Sequence, residues 1–297
     1  MLGRSRSCLG VVLASVLLAV LPACQSVKPQ TDPSTVAAVA EKKTELQQVA
    51  DKPVTHGIVR GYSEFVMDLS SGRELASYQA DELRYPASLT KMMTLYLLFE
   101  DIAAGRTSLS SDFTVSANAA RQPPSKIGLR EGETITAREA AEALAVKSAN
   151  DVAIVIAENL AGSEAEFARR MTAKARSLGL KRTLYYNASG LPDTRQVTTA
   201  RDMAVLGRSL KLRFPQYASM FRAKSFKFRG RSFKTTNNLL GKVFGVDGLK
   251  TGYTRASGYN LVSTARRGGK RRLVVVMGGQ SEAARDKQVT QLLDASF

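Results

Sequence analysis

Hydrophobic and polar residues fall along this chain in blocks whose period changes, and the changes mark its elements. A short basic start, Met1-Leu2-Gly3-Arg4-Ser5-Arg6, precedes an apolar run over residues 9–21 that ends at Leu21-Pro22-Ala23-Cys24. The run is too short for a comfortable transmembrane helix and reads as a secretory signal occupying residues 1–24. Residues 25–56 are polar and mixed in charge, with Pro29, Pro33 and Pro53 around an Ala/Glu/Lys/Gln centre. That composition predicts a flexible tether, with a frayed helix around 35–50. The folded domain is expected over residues 57–297, with Gly57 near its start.

Inside that domain, Glu64-Phe65-Val66-Met67-Asp68-Leu69 and Glu74-Leu75-Ala76-Ser77-Tyr78, joined through Ser70-Ser71-Gly72, predict a β-hairpin. At Tyr85-Pro86-Ala87-Ser88-Leu89-Thr90-Lys91-Met92-Met93 the proline punctuates the chain, and a long apolar run of good helix formers follows. Phe113-Thr114-Val115 and Thr134-Ile135-Thr136 predict short strands flanking a Pro/Gly loop at 122–132. Residues 137–160 carry Ala, Leu, Val and Ile at helical spacing, interrupted by Lys147-Ser148-Ala149-Asn150. A polar interruption between two apolar helical runs reads as a helix–turn–helix corner presented to a cleft. Further helices are expected over 167–178 and 199–210, and a hairpin turned at Gly230. Strands over 248–251, 259–264 and 273–277 and a closing helix over 283–293 complete the chain, with no internal repeat. The fold class is therefore α/β in the α+β sense. One antiparallel sheet is backed by helices and joined by a helical lobe, with a cleft between them.

The chemistry centres on Ser88. Residues three apart on a helix share a face, with Cβ atoms roughly 5–6 Å apart, which brings the Lys91 amine within reach of the Ser88 hydroxyl. A serine at neutral pH needs an adjacent base, and lysine serves only if burial or a cationic neighbour lowers its pKa. Apolar neighbours and a positive helix start meet both conditions. Ser-x-x-Lys alone is common by chance, and a capping serine followed by a surface lysine accounts for most such matches. Downstream, however, lie Lys147-Ser148-Ala149-Asn150-Asp151 and Gly248-Leu249-Lys250-Thr251-Gly252-Tyr253.

Composition narrows the options. With 297 residues and 44% hydrophobic content, the chain can bury one large core or two modest ones. Its two cysteines, Cys8 and Cys24, both precede the tether, so the folded domain has no disulfide framework and no thiol nucleophile. The single histidine, His56, lies in a Pro/Thr/Gly stretch and reads as a solvated loop residue. A histidine-rich metal site is thereby excluded, and a Ser-His-Asp triad would have to use this one residue. The formal charge of +17 is uneven: residues 167–285 hold 26 Lys and Arg against four acids, the rest 17 against 22. A basic half points to an anionic partner, and without a nucleic-acid motif envelope polymers or lipid headgroups fit an exported protein better.

Ser-x-x-Lys, Ser-x-Asn and Lys-Thr-Gly, in that order and widely spaced, resemble the motif set of penicillin-binding proteins and class A β-lactamases. Asn187-Ala188-Ser189-Gly190-Leu191-Pro192-Asp193, Thr199-Ala200-Arg201-Asp202-Met203 and Gly258-Tyr259-Asn260-Leu261-Val262 bring the likeness to the low-molecular-mass penicillin-binding proteins. These are serine-type D-alanyl-D-alanine carboxypeptidases of the S11 peptidase type. The resemblance covers about 57–297 and implies a β-lactamase/transpeptidase-like fold. It also implies peptidoglycan stem peptides as substrate and β-lactam antibiotics as covalent inhibitors, with no cofactor, metal or nucleic acid. Ser88 is then the nucleophile, Lys91 takes its proton, and Ser148 passes a proton to the leaving amine while bridging Lys91 and Lys250. Asn150 holds Lys91 and the substrate backbone, and Lys250 and Thr251 bind the substrate carboxylate. Gly252 leaves room for the strand to lie against substrate. The backbone N–H groups of Ser88 and Tyr253 form an oxyanion hole, worth roughly 3–4 kcal/mol per donor. Arg285 resembles a family arginine that helps hold the carboxylate; a solvated arginine at a helix start is the alternative.

A class A β-lactamase deacylates through a glutamate between the second and third motifs, and residues 167–281 contain none. A D,D-endopeptidase that cuts cross-links would share every residue above and differ in cleft shape. A non-catalytic, polymer-binding envelope lipoprotein is a weaker alternative. Leu-x-Ala-Cys resembles a bacterial lipobox that would lipidate Cys24, with ordinary cleavage near Ala23 as the alternative. Family members often add a C-terminal β-rich domain and an amphipathic membrane helix. Since the sequence ends at Phe297, membrane attachment is expected to rest on Cys24, giving an exported, periplasmic, membrane-anchored lipoprotein.

Overall fold

The computed structural model of the chain describes residues 61–297. The expected signal, Cys24, the tether, His56 and the domain start near Gly57 lie outside the described residues. No helix among the described residues is long and apolar enough to cross a membrane.

The predicted N-terminal hairpin forms as β1 (Ser63–Asp68) and β2 (Glu74–Tyr78). Strands β7 (Val246–Thr254), β8 (Gly258–Arg267) and β9 (Lys270–Gly279) join it in one five-stranded sheet of order β2-β1-β9-β8-β7, every pair antiparallel. The last strand, β9, thus pairs with the first, β1, from Ser63↔Met277 to Asp68↔Arg272. The unbroken apolar run Leu273-Val274-Val275-Val276-Met277 marks β9 as a strand covered on both faces. Leu273, Val275 and Met277 enter the main core, whereas Val274 and Val276 pack with Val289 and Leu293. Those last two belong to the closing helix α8 (Glu282–Ser296), which covers the second face.

The helical lobe surrounds α1 (Lys91–Ala103). Ten of its residues are buried, so its apolar run belongs to a core helix rather than an amphipathic one. Against it pack α3 (Ala137–Val146), α4 (Asn150–Ala161), α5 (Glu164–Ser177) and α6 (Ala200–Arg213). Helix α3 starts on a capping box between Thr136 and Glu139, and α4 stops at Gly162 in the left-handed region, φ 77°. Serine or threonine side chains cap α5, α6 and α8 through Ser163, Thr199 and Ser281.

Differences from the sequence reading are local. Helix α5 begins at Glu164, three residues early, because its first turn is acidic and hides the apolar pattern. The short helices α2 (Ala117–Ala120) and α7 (Ala218–Arg222) are too brief to show a period and were not expected. Strands β3 (Asp112–Thr114) and β4 (Thr134–Thr136) pair with each other in a separate two-stranded sheet. The hairpin β5 (Ser225–Phe228) and β6 (Arg231–Lys234) turns through Arg229 and Gly230, both at positive φ, and stacks Phe226 on Phe233 at 5.3 Å.

Candidate active site

Pro86 opens a tight segment. Ala87–Thr90 form one 3-10 turn, and the regular helix begins only at Lys91, so Ser88 sits on the turn before α1 rather than in its first α-helical turn. Ala87 takes φ 47°, a conformation that costs a residue with a side chain and persists only where the surroundings impose it. Those surroundings are visible. Asn260 of β8, fully buried, donates from Nδ2 to the carbonyls of Tyr85 at 3.1 Å and Pro86 at 3.3 Å, and accepts from Gly278 N–H at 2.9 Å. A Cβ at Gly190, where φ is +81°, would lie 1.9 Å from the Ala87 carbonyl oxygen. One at Gly252 would lie 3.0 Å from Ser88 N and 3.2 Å from Leu89 N. The missing side chain of Gly252 therefore admits the Ser88 turn, a close approach the sequence reading did not include.

The three-residue spacing does bring the two side chains together. Lys91 Nζ lies 3.0 Å from Ser88 Oγ and 2.8 Å from Asn150 Oδ1, and also donates to the Ser189 carbonyl. Lys91 is wholly buried, and burial first, then the positive charge of Lys250, hold its amine well below the usual lysine range; Asp151 opposes this. A neutral amine can accept the Ser88 proton, which turns an inert hydroxyl into a nucleophile.

The corner between α3 and α4 supplies the opposite wall. Ser148 adopts φ 62°, is almost buried, and its Oγ has no hydrogen-bond partner among the described residues. The expected Ser148 bridge between the two lysines is not formed. Lys91 Nζ is engaged by Ser88, Asn150 and Ser189, while Lys250 Nζ turns back to the Thr251 carbonyl at 3.1 Å. Asn150 holds Lys91 as expected, but its amide nitrogen donates to the Pro123 carbonyl at 3.0 Å and its backbone N–H to Ser125 at 2.6 Å. The loop carrying both carbonyls is itself tied to α4. Asp151 accepts from the N–H groups of Ile127 (3.1 Å), Gly128 (2.8 Å) and Leu129 (3.2 Å).

The third wall is β7, at the sheet's edge; no strand among the described residues pairs with its outer side, the geometry an added extended peptide requires. Lys250 is buried, and burial with the nearby Arg285 charge pushes its pKa down to about 7. Thr251 Oγ1 lies 2.7 Å from Thr236 Oγ1, and the half-exposed Tyr253 stacks on Tyr259 at 4.3 Å. Arg285 is not a solvated arginine: it is buried, bonds Asp286 at 2.6 and 2.9 Å, and approaches the Asn260 carbonyl at 3.4 Å. Beside the Ser88 turn, Tyr85, Pro86, Ala87, Leu191 and Thr254 line a mostly apolar pocket of about 140 Å³.

Four contributors escaped the sequence reading: Asn260, the Ser189 carbonyl, and the Pro123 and Ser125 carbonyls. Three act through backbone oxygen, which carries no residue signature. Asn260 lay within a stretch read only for its likeness.

Comparison with known proteins agrees with this geometry. A profile of the D-alanyl-D-alanine carboxypeptidase family of S11 peptidases matches residues 48–281. The D-alanyl-D-alanine carboxypeptidase DacF of Bacillus subtilis (strain 168) is 34% identical over 240 residues, which cover 79% of this chain and 61% of that relative. This chain therefore spans less than two thirds of that protein's length. Penicillin binding protein 5 from Haemophilus influenzae superposes with a TM-score of 0.77 at 32% identity, covering 82% of this chain and 72% of that one. Penicillin-Binding Protein D2 from Listeria monocytogenes, solved in a cefotaxime-bound form, gives 0.72 at 29% identity, covering 80% and 96%. The chain, with its Ser88–Lys91 pair between a Ser-x-Asn corner and a Lys-Thr-Gly edge strand, belongs to the D-alanyl-D-alanine carboxypeptidase family of S11 peptidases.

Proposed function

We propose that this protein is a serine D-Ala-D-Ala carboxypeptidase that removes the terminal D-alanine of peptidoglycan stem peptides and is acylated by β-lactams. The observation that carries the reading is the contact of Ser88 Oγ with the buried, pKa-depressed Lys91. Ser88 attacks the carbonyl between the two D-alanines as Lys91 takes its proton. The N–H groups of Ser88 and Tyr253 receive the oxyanion. Collapse of the tetrahedral intermediate expels D-alanine, whose amine takes a proton by way of Ser148; the unpartnered Ser148 hydroxyl is free to turn to it. Water then hydrolyses the acyl-enzyme, with Lys91 again as base. Asn150 holds Lys91 and offers its second amide hydrogen to the substrate backbone, which lies along β7 beside Gly252. Lys250 and Thr251 bind the terminal carboxylate, and Arg285 supports it through its charge beside Lys250. The cefotaxime-bound relative supports the β-lactam part of the reading.

The same reading includes export on a signal over residues 1–24, lipidation at Cys24, a tether over 25–56 and a catalytic domain over 57–297. It rests on the lipobox-like Leu21-Pro22-Ala23-Cys24 and the polar composition that follows. Loss of a lipid mass from membrane-extracted protein in Cys24→Ser tests it.

The peptidase reading is tested by intact mass of the protein after exposure to a penicillin, for wild type and Ser88→Ala. The same samples are then given a D-Ala-D-Ala pentapeptide and a cross-linked muropeptide. A persistent adduct on wild type alone, with D-alanine released from the pentapeptide, is the expected result. Cleavage of the cross-link alone makes the protein an endopeptidase, and equal acylation of Ser88→Ala removes Ser88 from the mechanism.

A further inference from the structure

Apart from Lys250 and Arg285, most of the cations in the second half of the chain lie outside the cleft, and one end of the sheet gathers several of them beside an exposed aromatic ring. Phe244 is 79% exposed, more than any other large apolar side chain among the described residues. It sits on a short loop between Gly241 and Gly245, both at positive φ (75° and 80°), just before β7. A Cβ at Gly245 would lie 2.3 Å from the Arg266 carbonyl oxygen, so the loop is pressed against the tip of the β8–β9 hairpin. Arg266 N–H donates to the Gly245 carbonyl and Arg267 Nε to the Phe244 carbonyl, each at 2.9 Å. The ring therefore projects from a braced loop, and its exposure does not come from slack backbone.

The same loop and hairpin tip carry Lys242, Arg266, Arg267, Lys270 and Arg271: the Arg267 guanidinium lies over the Phe244 ring at 6.0 Å and its cross-strand partner Lys270 donates to the Phe297 carbonyl, while Arg266 and Arg271, paired with each other, project from the opposite face of the tip. Asp294 pairs with Arg267 at 2.7 Å, whereas Lys242, Arg266 and Arg271 have no carboxylate partner among the described residues. A cationic cluster within a Debye length, about 8 Å at physiological salt, attracts an anionic surface as a unit. A solvated anionic polymer would satisfy the cations and leave the phenyl ring in water. An anionic bilayer satisfies both, since aromatic rings settle at the headgroup level while lysine and arginine contact the phosphates.

We propose that the Phe244 loop and the β8–β9 tip form a docking surface for an anionic lipid bilayer. The position suits the task. Strand β7 runs from this surface at Val246 to Gly252 beside the Ser88 turn, about 20 Å at 3.3 Å per residue. Docking there leaves the cleft at the other end of the strand, open to a polymer away from the membrane.

The chain contains no tryptophan, so Phe244→Trp in the full chain is a single-tryptophan reporter, excited selectively over tyrosine. The full chain is reconstituted on vesicles of phosphatidylglycerol with phosphatidylcholine and on vesicles of phosphatidylcholine alone. The lipid proposed at Cys24 would hold it to both, so the reading is the environment of residue 244 rather than binding. Expected on the anionic vesicles are a blue shift and a several-fold loss of acrylamide quenching, both reversed by high salt. Adding Lys242→Glu and Arg266→Glu should abolish them. Identical emission on the two compositions overturns the proposal. So does a shift produced by a soluble polyanion such as poly-glutamate but not by anionic vesicles, which would make the surface a polymer site. Penicillin acylation and a thermal melt of each variant show that it is folded, and they test the peptidase reading separately.

Discussion

At Lys91 a single buried amine meets three oxygens and is repelled by a second buried lysine, and the pH behaviour of the protein follows from that pair. Removing the amine while keeping the volume, in Lys91→Met, should slow penicillin acylation by about 10³-fold, within the range for a lost general base. With Lys91 depressed, acylation should rise with pH through its lowered pKa and then level off. Lys250 works in the opposite sense. Its pKa is about 7 in the empty site, so its charge is lost as pH rises past that value. KM for a carboxylate-bearing peptide should then climb while kcat does not fall. Arg285→Gln removes one of the two causes and should move the KM limb to higher pH; a limb that stays in place would refute the coupling. For stability the signs agree. Both lysines are depressed, so the cost of protonating Lys250 in the fold is fully present below about 7 and relieved as pH rises towards 10.5. Ser88 and Lys91 were legible in the sequence because a spacing of three on a helical segment is a local fact. The depression of Lys91 also needed Lys250, which only the folded chain brings near.

The elements around the site act as mounts. Asp151 on α4 holds the Ile127–Leu129 backbone, and through that loop the carbonyls that grip Asn150. Asp151→Ala leaves several N–H groups without a partner and should cost about 2–4 kcal/mol in denaturant unfolding. It should also slow acylation more than a surface change of equal cost, because Asn150 loses its support. The Ser88 turn responds in the same way. Asn260→Leu keeps the volume but abandons two carbonyls and one N–H, and should destabilise by roughly 3 kcal/mol while lowering kcat in protein that is still folded at the assay temperature. The α3–α4 corner was legible because a polar break between two apolar helical runs has few other meanings. The clamp of Gly190 and Gly252 on the Ser88 turn was not, since a glycine in sequence does not say which backbone comes close.

Across the whole molecule the sheet and the lobe share one core. Phe65, Met67, Val262, Leu273 and Val275 from the strands cluster with Met93, Leu97, Leu144, Ile154 and Met203 from the helices. The domain should therefore unfold in a single calorimetric transition, with van't Hoff and calorimetric enthalpies in agreement. Two resolved transitions would mean that the lobe is held to the sheet by less than this core implies. The charge distribution is also a whole-molecule property: counting showed a basic half, but only the fold shows which cations meet carboxylates and which gather at the sheet end that carries Phe244.

By itself the sequence determined the kind of chemistry and the list of elements. A serine with a lysine three residues on, a domain without thiols and a lone histidine before it leave few alternatives, and apolar periodicity is written residue by residue. Tertiary structure decided everything that depends on distant segments meeting. Lys91 reaches Asn150 across 59 residues and the Ser189 carbonyl across 98, and Arg285 becomes a buried neighbour of Lys250 instead of a solvated helix residue. The physical reason is range. Backbone preference and side-chain period act within a few residues, whereas burial and the field of a neighbouring charge exist only after the chain has packed.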